Sequence, residues 1–75
     1  MRGYLVVIEP TRTGFCAYAP DLPGCVTTGE TRQEAETNIR EALDLHIAGL
    51  LRKRRPIPGP RTAHVLVDVA AAPVV

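Results

Sequence analysis

The stretch Tyr18–Leu45, YAPDLPGCVTTGETRQEAETNIREALDL, decides the fold, because it joins a stiff turn to a strongly signalled helix start. Pro20 and Pro23 fix φ at two positions of Pro20-Asp21-Leu22-Pro23-Gly24, and Gly24 can adopt the positive φ of a tight turn. Cys25–Thr28 then reads as a short strand ended by Gly29. Thr31-Arg32-Gln33-Glu34 is a capping box: the Thr31 hydroxyl accepts from the Glu34 amide, and Glu34 reaches back to the Thr31 amide. Beyond it, steps of about 100° per residue place Ala35, Ile39, Ala42, Leu43, His46 and Leu50 on one stripe. Ile47 and Leu51 widen that stripe beyond what one sheet face requires. Glu34 and Glu36 at the start and Arg52–Arg55 at the end both complement the helix dipole. Gly49 costs the helix about 1 kcal/mol relative to Ala, which suggests that something packs close there.

Upstream of this stretch, Tyr4–Ile8 is continuous, β-branched and aromatic, and predicts a strand buried on both faces. Pro10 and Gly14 bracket a turn, and Phe15–Ala19 is the returning strand. Downstream, Pro56-Ile57-Pro58-Gly59-Pro60 ends the helix and runs extended. Val-rich His64–Val69 predicts a fourth strand, and residues 70–75 a flexible tail. The expected fold class is α+β in the order β-β-β-α-β: an antiparallel three-stranded meander, one helix on one sheet face, and a fourth strand brought in by the helical crossover. Sheet order 3-2-1-4, with the first strand central, accounts for apolar Leu5 and Val7 beside Tyr4, Val6 and Ile8. One helix covers one face, so a second subunit is expected on the other, and Leu5, Val7, Ile47 and Leu51 are the candidate oligomer-interface residues.

Seventy-five residues make a single domain, with 45% hydrophobic residues but no Trp, one Phe and two Tyr. A core of Val, Leu, Ile and Ala in a chain below roughly 80 residues supplies little stability, which favours a dimer or tetramer. The net charge of +1 lacks the basic excess of an electrostatic nucleic-acid binder. Cys16 and Cys25 are the only cysteines, and the apolar start is too short for a signal segment; reduced thiols and a cytoplasmic location are expected.

Taken together, Tyr4-Leu5-Val6-Val7-Ile8-Glu9, Gly14-Phe15, Pro20-Asp21-Leu22-Pro23-Gly24-Cys25, Gly29-Glu30-Thr31, Glu34-Ala35, Glu41-Ala42-Leu43 and Ile57-Pro58 resemble the HicB antitoxin family over residues 4–69. That resemblance implies a partial ribonuclease-H-like fold and the neutralisation of a small ribonuclease toxin (HicA-like) by direct binding. Many members add a C-terminal DNA-binding module. Only residues 70–75 follow Val69 here, so direct operator binding by this chain alone is not expected.

Ribonuclease-H chemistry needs carboxylates converging on metal ions. Tyr4–Ile8 carries none, and most of Glu9, Asp21, Glu30, Glu34, Glu36, Glu41, Asp44 and Asp68 read as a solvated helix face. No catalytic role is expected, and no cofactor or metal. His46, alone on the apolar stripe, reads as a structural histidine, since His64, Cys16 and Cys25 form no ligand spacing with it. Arg52-Lys53-Arg54-Arg55 reads as a helix terminus; the competing reading is a small nucleic-acid-binding module that uses those charges. A HicB-like domain with another role is a further alternative. In the Pro/Gly loop turn chemistry accounts for each residue, and the same loop, with Tyr18, Asp21, Leu22, Pro23 and Gly24, is the candidate partner-binding element.

Overall fold

A computed structural model describes residues 3–70. Three strands, β1 (Val7–Pro10), β2 (Phe15–Tyr18) and β3 (Val26–Gly29), form one antiparallel sheet in the order β1-β2-β3, and helix α1 (Arg32–Arg52) packs across one face. The α+β class and the meander with its single helix are therefore present as expected.

The first strand starts three residues later than its apolar run. Val7 pairs with Tyr18, the last residue of β2. Ala19 already belongs to the following loop, where its N–H donates to the Cys25 carbonyl at 3.1 Å, so Tyr4, Leu5 and Val6 find no ladder partner on β2. At the other end the hairpin is closed tightly. Thr11 N–H donates to the Gly14 carbonyl at 2.7 Å, and Gly14 N–H donates to the Thr11 hydroxyl at 3.1 Å.

Register sorts the side chains. Ile8 lies opposite Ala17 and Ala17 opposite Thr27, a row that faces α1. Val7, Tyr18 and Val26 align in the neighbouring row on the face that α1 leaves uncovered. The buried core is Ala17, Ala19, Leu22, Cys25, Ala35 and Ile39, and only Leu22 and Ile39 are large. Small residues dominate because helix and sheet approach closely. A Cβ on Gly29 would lie 2.5 Å from the Ala35 amide nitrogen.

Both helix ends are satisfied locally. Thr31 Oγ1 accepts from Glu34 N–H at 3.0 Å, as the capping box predicts. The reciprocal bond is displaced by one residue: Glu34 Oε1 accepts from Glu30 N–H at 3.1 Å rather than from Thr31. Asn38 Nδ2 donates to the Thr28 carbonyl at 2.8 Å and ties the helix to β3. At the C-terminus Arg55 N–H reaches the Leu50 carbonyl at 2.9 Å and Arg54 N–H the Leu51 carbonyl at 3.1 Å, a Schellman closure with Arg54 at φ +54°. The close contact expected at Gly49 is absent: nothing lies within 4 Å of where its Cβ would sit.

The fourth strand does not form. Residues 61–69 pair with no strand, β1 is an edge, and the predicted 3-2-1-4 order is not reached. The reason is where the chain is tied after α1. The Tyr4 hydroxyl donates to the Pro58 carbonyl, and Asp21 then captures Arg61 and Thr62 beside the β2–β3 loop. Two strands separate that anchor from the free edge of β1. Residues 71–75 of the expected tail lie outside the described residues, and Ala70 is exposed.

Candidate interaction surfaces

The Pro/Gly loop is built around Leu22. Leu22 N–H donates to the Ala19 carbonyl at 3.0 Å and Cys25 N–H to the Leu22 carbonyl at 3.0 Å, so two successive turns fold the loop back on itself. Gly24 closes it at φ +86°, a value that favours glycine. The result turns Leu22 inward to 1% exposure while Pro20, Pro23 and Gly24 remain exposed. Cys25 is buried at the loop's exit, which pushes its thiol pKa up; neither cysteine is in a disulfide.

Asp21 faces outward and is fully engaged. One carboxylate oxygen accepts from Arg61 N–H and Thr62 N–H, each at 2.8 Å, and the other accepts from the Thr62 hydroxyl at 2.7 Å. These bonds favour the charged form. The Thr62 amide and hydroxyl, followed by the Arg61 amide, hold the carboxyl below its ordinary value of 3.8.

A groove runs between β1 and α1. Tyr4, Val6 and Ile8 form one wall and Ile39 and Leu43 the other, enclosing about 440 Å³, with Arg32, Glu36 and Arg40 at the rim. Arg40 and Glu36 pair at 3.2 Å on that exposed rim. Sharing Tyr4 and Leu43, the groove continues along Ile47, Ala48 and Leu51 for a further 470 Å³ or so.

The expected site residues thus fall into three places. Tyr18 joins Val7 on the helix-free face, beside Val26; Leu5 shares the phase of Val7 two residues earlier. Ile47 and Leu51 line the groove. Asp21 holds the C-terminal segment, Leu22 fills the core, and Pro23 and Gly24 form the loop's outer surface. Sequence reasoning missed the groove wall Tyr4-Val6-Ile8 as a surface; the signal was an apolar run too long for the ladder that β2 offers. It also missed the pairing of Asp21 with Thr62, forty-one residues away in the chain, for which no local pattern exists.

His46 is half-buried, and no group of three metal-ligating side chains occurs among the described residues. Arg52, Lys53, Arg54 and Arg55 are exposed at the helix terminus. Among the described residues no helix is long and apolar enough to cross a membrane.

Fold and surface define a small α+β domain whose outward features are a sheet face with the row Val7, Tyr18 and Val26, a preformed loop and an open groove. The sequence profile of the HicB-like antitoxin of bacterial toxin-antitoxin system matches residues 4–72, and the chain belongs to that family. A UPF0150 protein of Thermoplasma acidophilum is 35% identical over 65 residues, 85% of this chain and 94% of that one. Antitoxin HicB 2 of Photorhabdus laumondii is 36% identical over 70 residues, 92% of this chain and 50% of its own length. A protein of Haemophilus phage HP1 is 38% identical over 55 residues; the match takes in 73% of this chain and 41% of the phage protein. The chain thus spans half or less of these last two relatives. Among solved structures, a chain of the HicA3 and HicB3 toxin-antitoxin complex superimposes with a TM-score of 0.69 at 35% identity, covering 80% of this chain and 70% of that one.

Proposed function

We propose that this chain is the antitoxin of a type II toxin–antitoxin pair, neutralising a small HicA-like ribonuclease toxin by direct binding in the cytoplasm, without catalysis of its own. The observation that carries this reading is the structural likeness, at 35% identity, to a chain of the HicA3 and HicB3 toxin-antitoxin complex.

The surface assigned to the toxin is the helix-free face. Tyr18 supplies the aromatic anchor typical of binding hot spots, flanked by Val7 and by Val26, which is 60% exposed. Pro23 and Gly24 extend that surface at the loop. Asp21 and Leu22 act from behind it, one fixing the C-terminal segment and the other locking the loop into the core. A loop already held in one conformation loses little entropy on binding.

Co-expression with a HicA-like toxin tests the reading. The two should co-purify, and growth arrested by the toxin should recover. Tyr18→Asp should weaken the complex by tenfold or more, about 1.4 kcal/mol, with an unchanged circular dichroism spectrum. A cognate toxin that is neither bound nor neutralised overturns the proposal.

A further inference from the structure

The chain carries two halves of one unmade contact. The first half is the free edge of β1, which pairs only with β2 and leaves its outer backbone groups without a strand. Beside that edge lies the groove walled by Tyr4, Val6 and Ile8 on one side and Ile39, Leu43 and Ile47 on the other. An unpaired edge next to an apolar trough is a template for another strand.

The second half is His64–Val69. Val65, Val67 and Val69 recur at the strand period of two, so an extended backbone puts all three on one side. Here they contact no core: Val67 is 74% exposed and Leu66 94%. Four large apolar side chains within six residues, three of them valine, standing in solvent are unusual for a folded chain. The molecule's dimensions show the same thing. Its radius of gyration is 14.8 Å, against about 11 Å for a compact chain of this length, and its long axis reaches 50 Å.

What keeps the two halves apart is the route between them. Pro56, Pro58 and Pro60 stiffen the connection. The Tyr4–Pro58 contact and the Asp21 clamp on Arg61 and Thr62 then deliver the segment to the β2–β3 end of the sheet. Folding back onto its own β1 would require release of three hydrogen bonds at Asp21 and a turn across two strands. A second copy needs neither.

We propose that two copies of this chain exchange their C-terminal segments, His64–Val69 of each adding to the free β1 edge of the other and seating Val65, Val67 and Val69 in the β1–α1 groove. The exchange is isologous: each copy gives one strand and receives one, so the contact closes at two chains. It covers the groove, supplies the fourth strand in trans, and leaves the helix-free face open. The inference does not rest on the toxin reading, and either can fail alone.

Light scattering on the eluting full chain tests it directly. The native protein should run as a dimer, twice 8.1 kDa, from roughly 1 to 100 µM. Val67→Pro removes an amide and a groove side chain from a position exposed in the single chain, so the domain should keep its spectrum while the dimer dissociation constant rises at least tenfold. Val67→Asp should do the same. Hydrogen exchange supplies the second readout: β1-edge amides protected in the native dimer should lose that protection in either variant. A native monomer overturns the proposal, including one whose β1 edge is protected, because that means closure within one chain. A dimer that survives both substitutions with its β1 edge unchanged overturns it equally.

Discussion

The two halves of α1 carry the same apolar stripe and meet different fates. In the first half Ala35 and Ile39 are buried, Gly29 admits the helix backbone, and Asn38 bonds to β3. In the second half Leu43 and Ile47 are half-buried, Gly49 faces open space, and Leu51 is 61% exposed. The helix packs most closely on β3 and least on β1. Burial is thus a property of what the opposing layer supplies, not of the stripe. The closed half is complete within one chain, and the open half is a surface.

The sharpest way to break this contrast is to shorten a side chain in each half. Ile39→Ala should cost about 3 kcal/mol, the usual loss when a large core side chain leaves a cavity. Leu51→Ala should cost less than about 1 kcal/mol in the monomer, as for most exposed positions. Urea denaturation at low protein concentration separates the two, and equal losses would erase the distinction.

The glycines give a contrast of sign. Gly29→Ala drives a methyl group against the Ala35 backbone and should destabilise by about 2 kcal/mol. Gly49→Ala meets nothing and should stabilise the helix by about 1 kcal/mol. Thermal melts resolve both, since 1 kcal/mol moves the midpoint of a domain this size by about 4–8 °C. A loss at Gly49 would place a contact in the open half.

The smallest effect concerns the tie between the loop and the C-terminal segment. Asp21→Asn should leave the domain's melting almost unchanged while the Arg61 and Thr62 amides exchange faster. The carboxyl pKa is lowered in the folded chain, so the clamp holds fully above the ordinary value of 3.8 and is lost as pH falls through the lower, folded value. Protection of those two amides, corrected for intrinsic exchange, should therefore persist at pH 5 and fail only in stronger acid. Loss near neutrality would mean that another group holds the segment.

Local chemistry made the closed half legible. Thr31 and Glu34 marked the helix start, the 3.6-residue period found Ala35 and Ile39, and Pro20–Gly24 announced its turns. The open half escaped because its determinants lie far apart in the chain. Val-rich His64–Val69 has the composition of a strand, yet a strand needs an edge to join, and here Asp21 holds the chain at the β2–β3 loop, where it pairs with neither β1 nor β3. The shift of β1 toward Pro10 depended on where β2 ended, not on the apolar run itself. Leu22 was expected to face a partner, because loop composition says nothing of which way a side chain points. The family resemblance identified the fold, but not which surfaces stay open.

That inward Leu22 has a consequence for how the protein can change. Its loop is a keystone as well as an outer surface: Leu22 is one of two large side chains in the core, and its neighbour Asp21 fastens a remote segment. Mutational drift is therefore confined to Pro20, Pro23 and the rim, while Leu22 in the core and Gly24 at φ +86° are held. The sheet face around Tyr18 carries no such burden: Val7, Tyr18 and Val26 lie outside the buried core, and substitutions there leave the architecture seated.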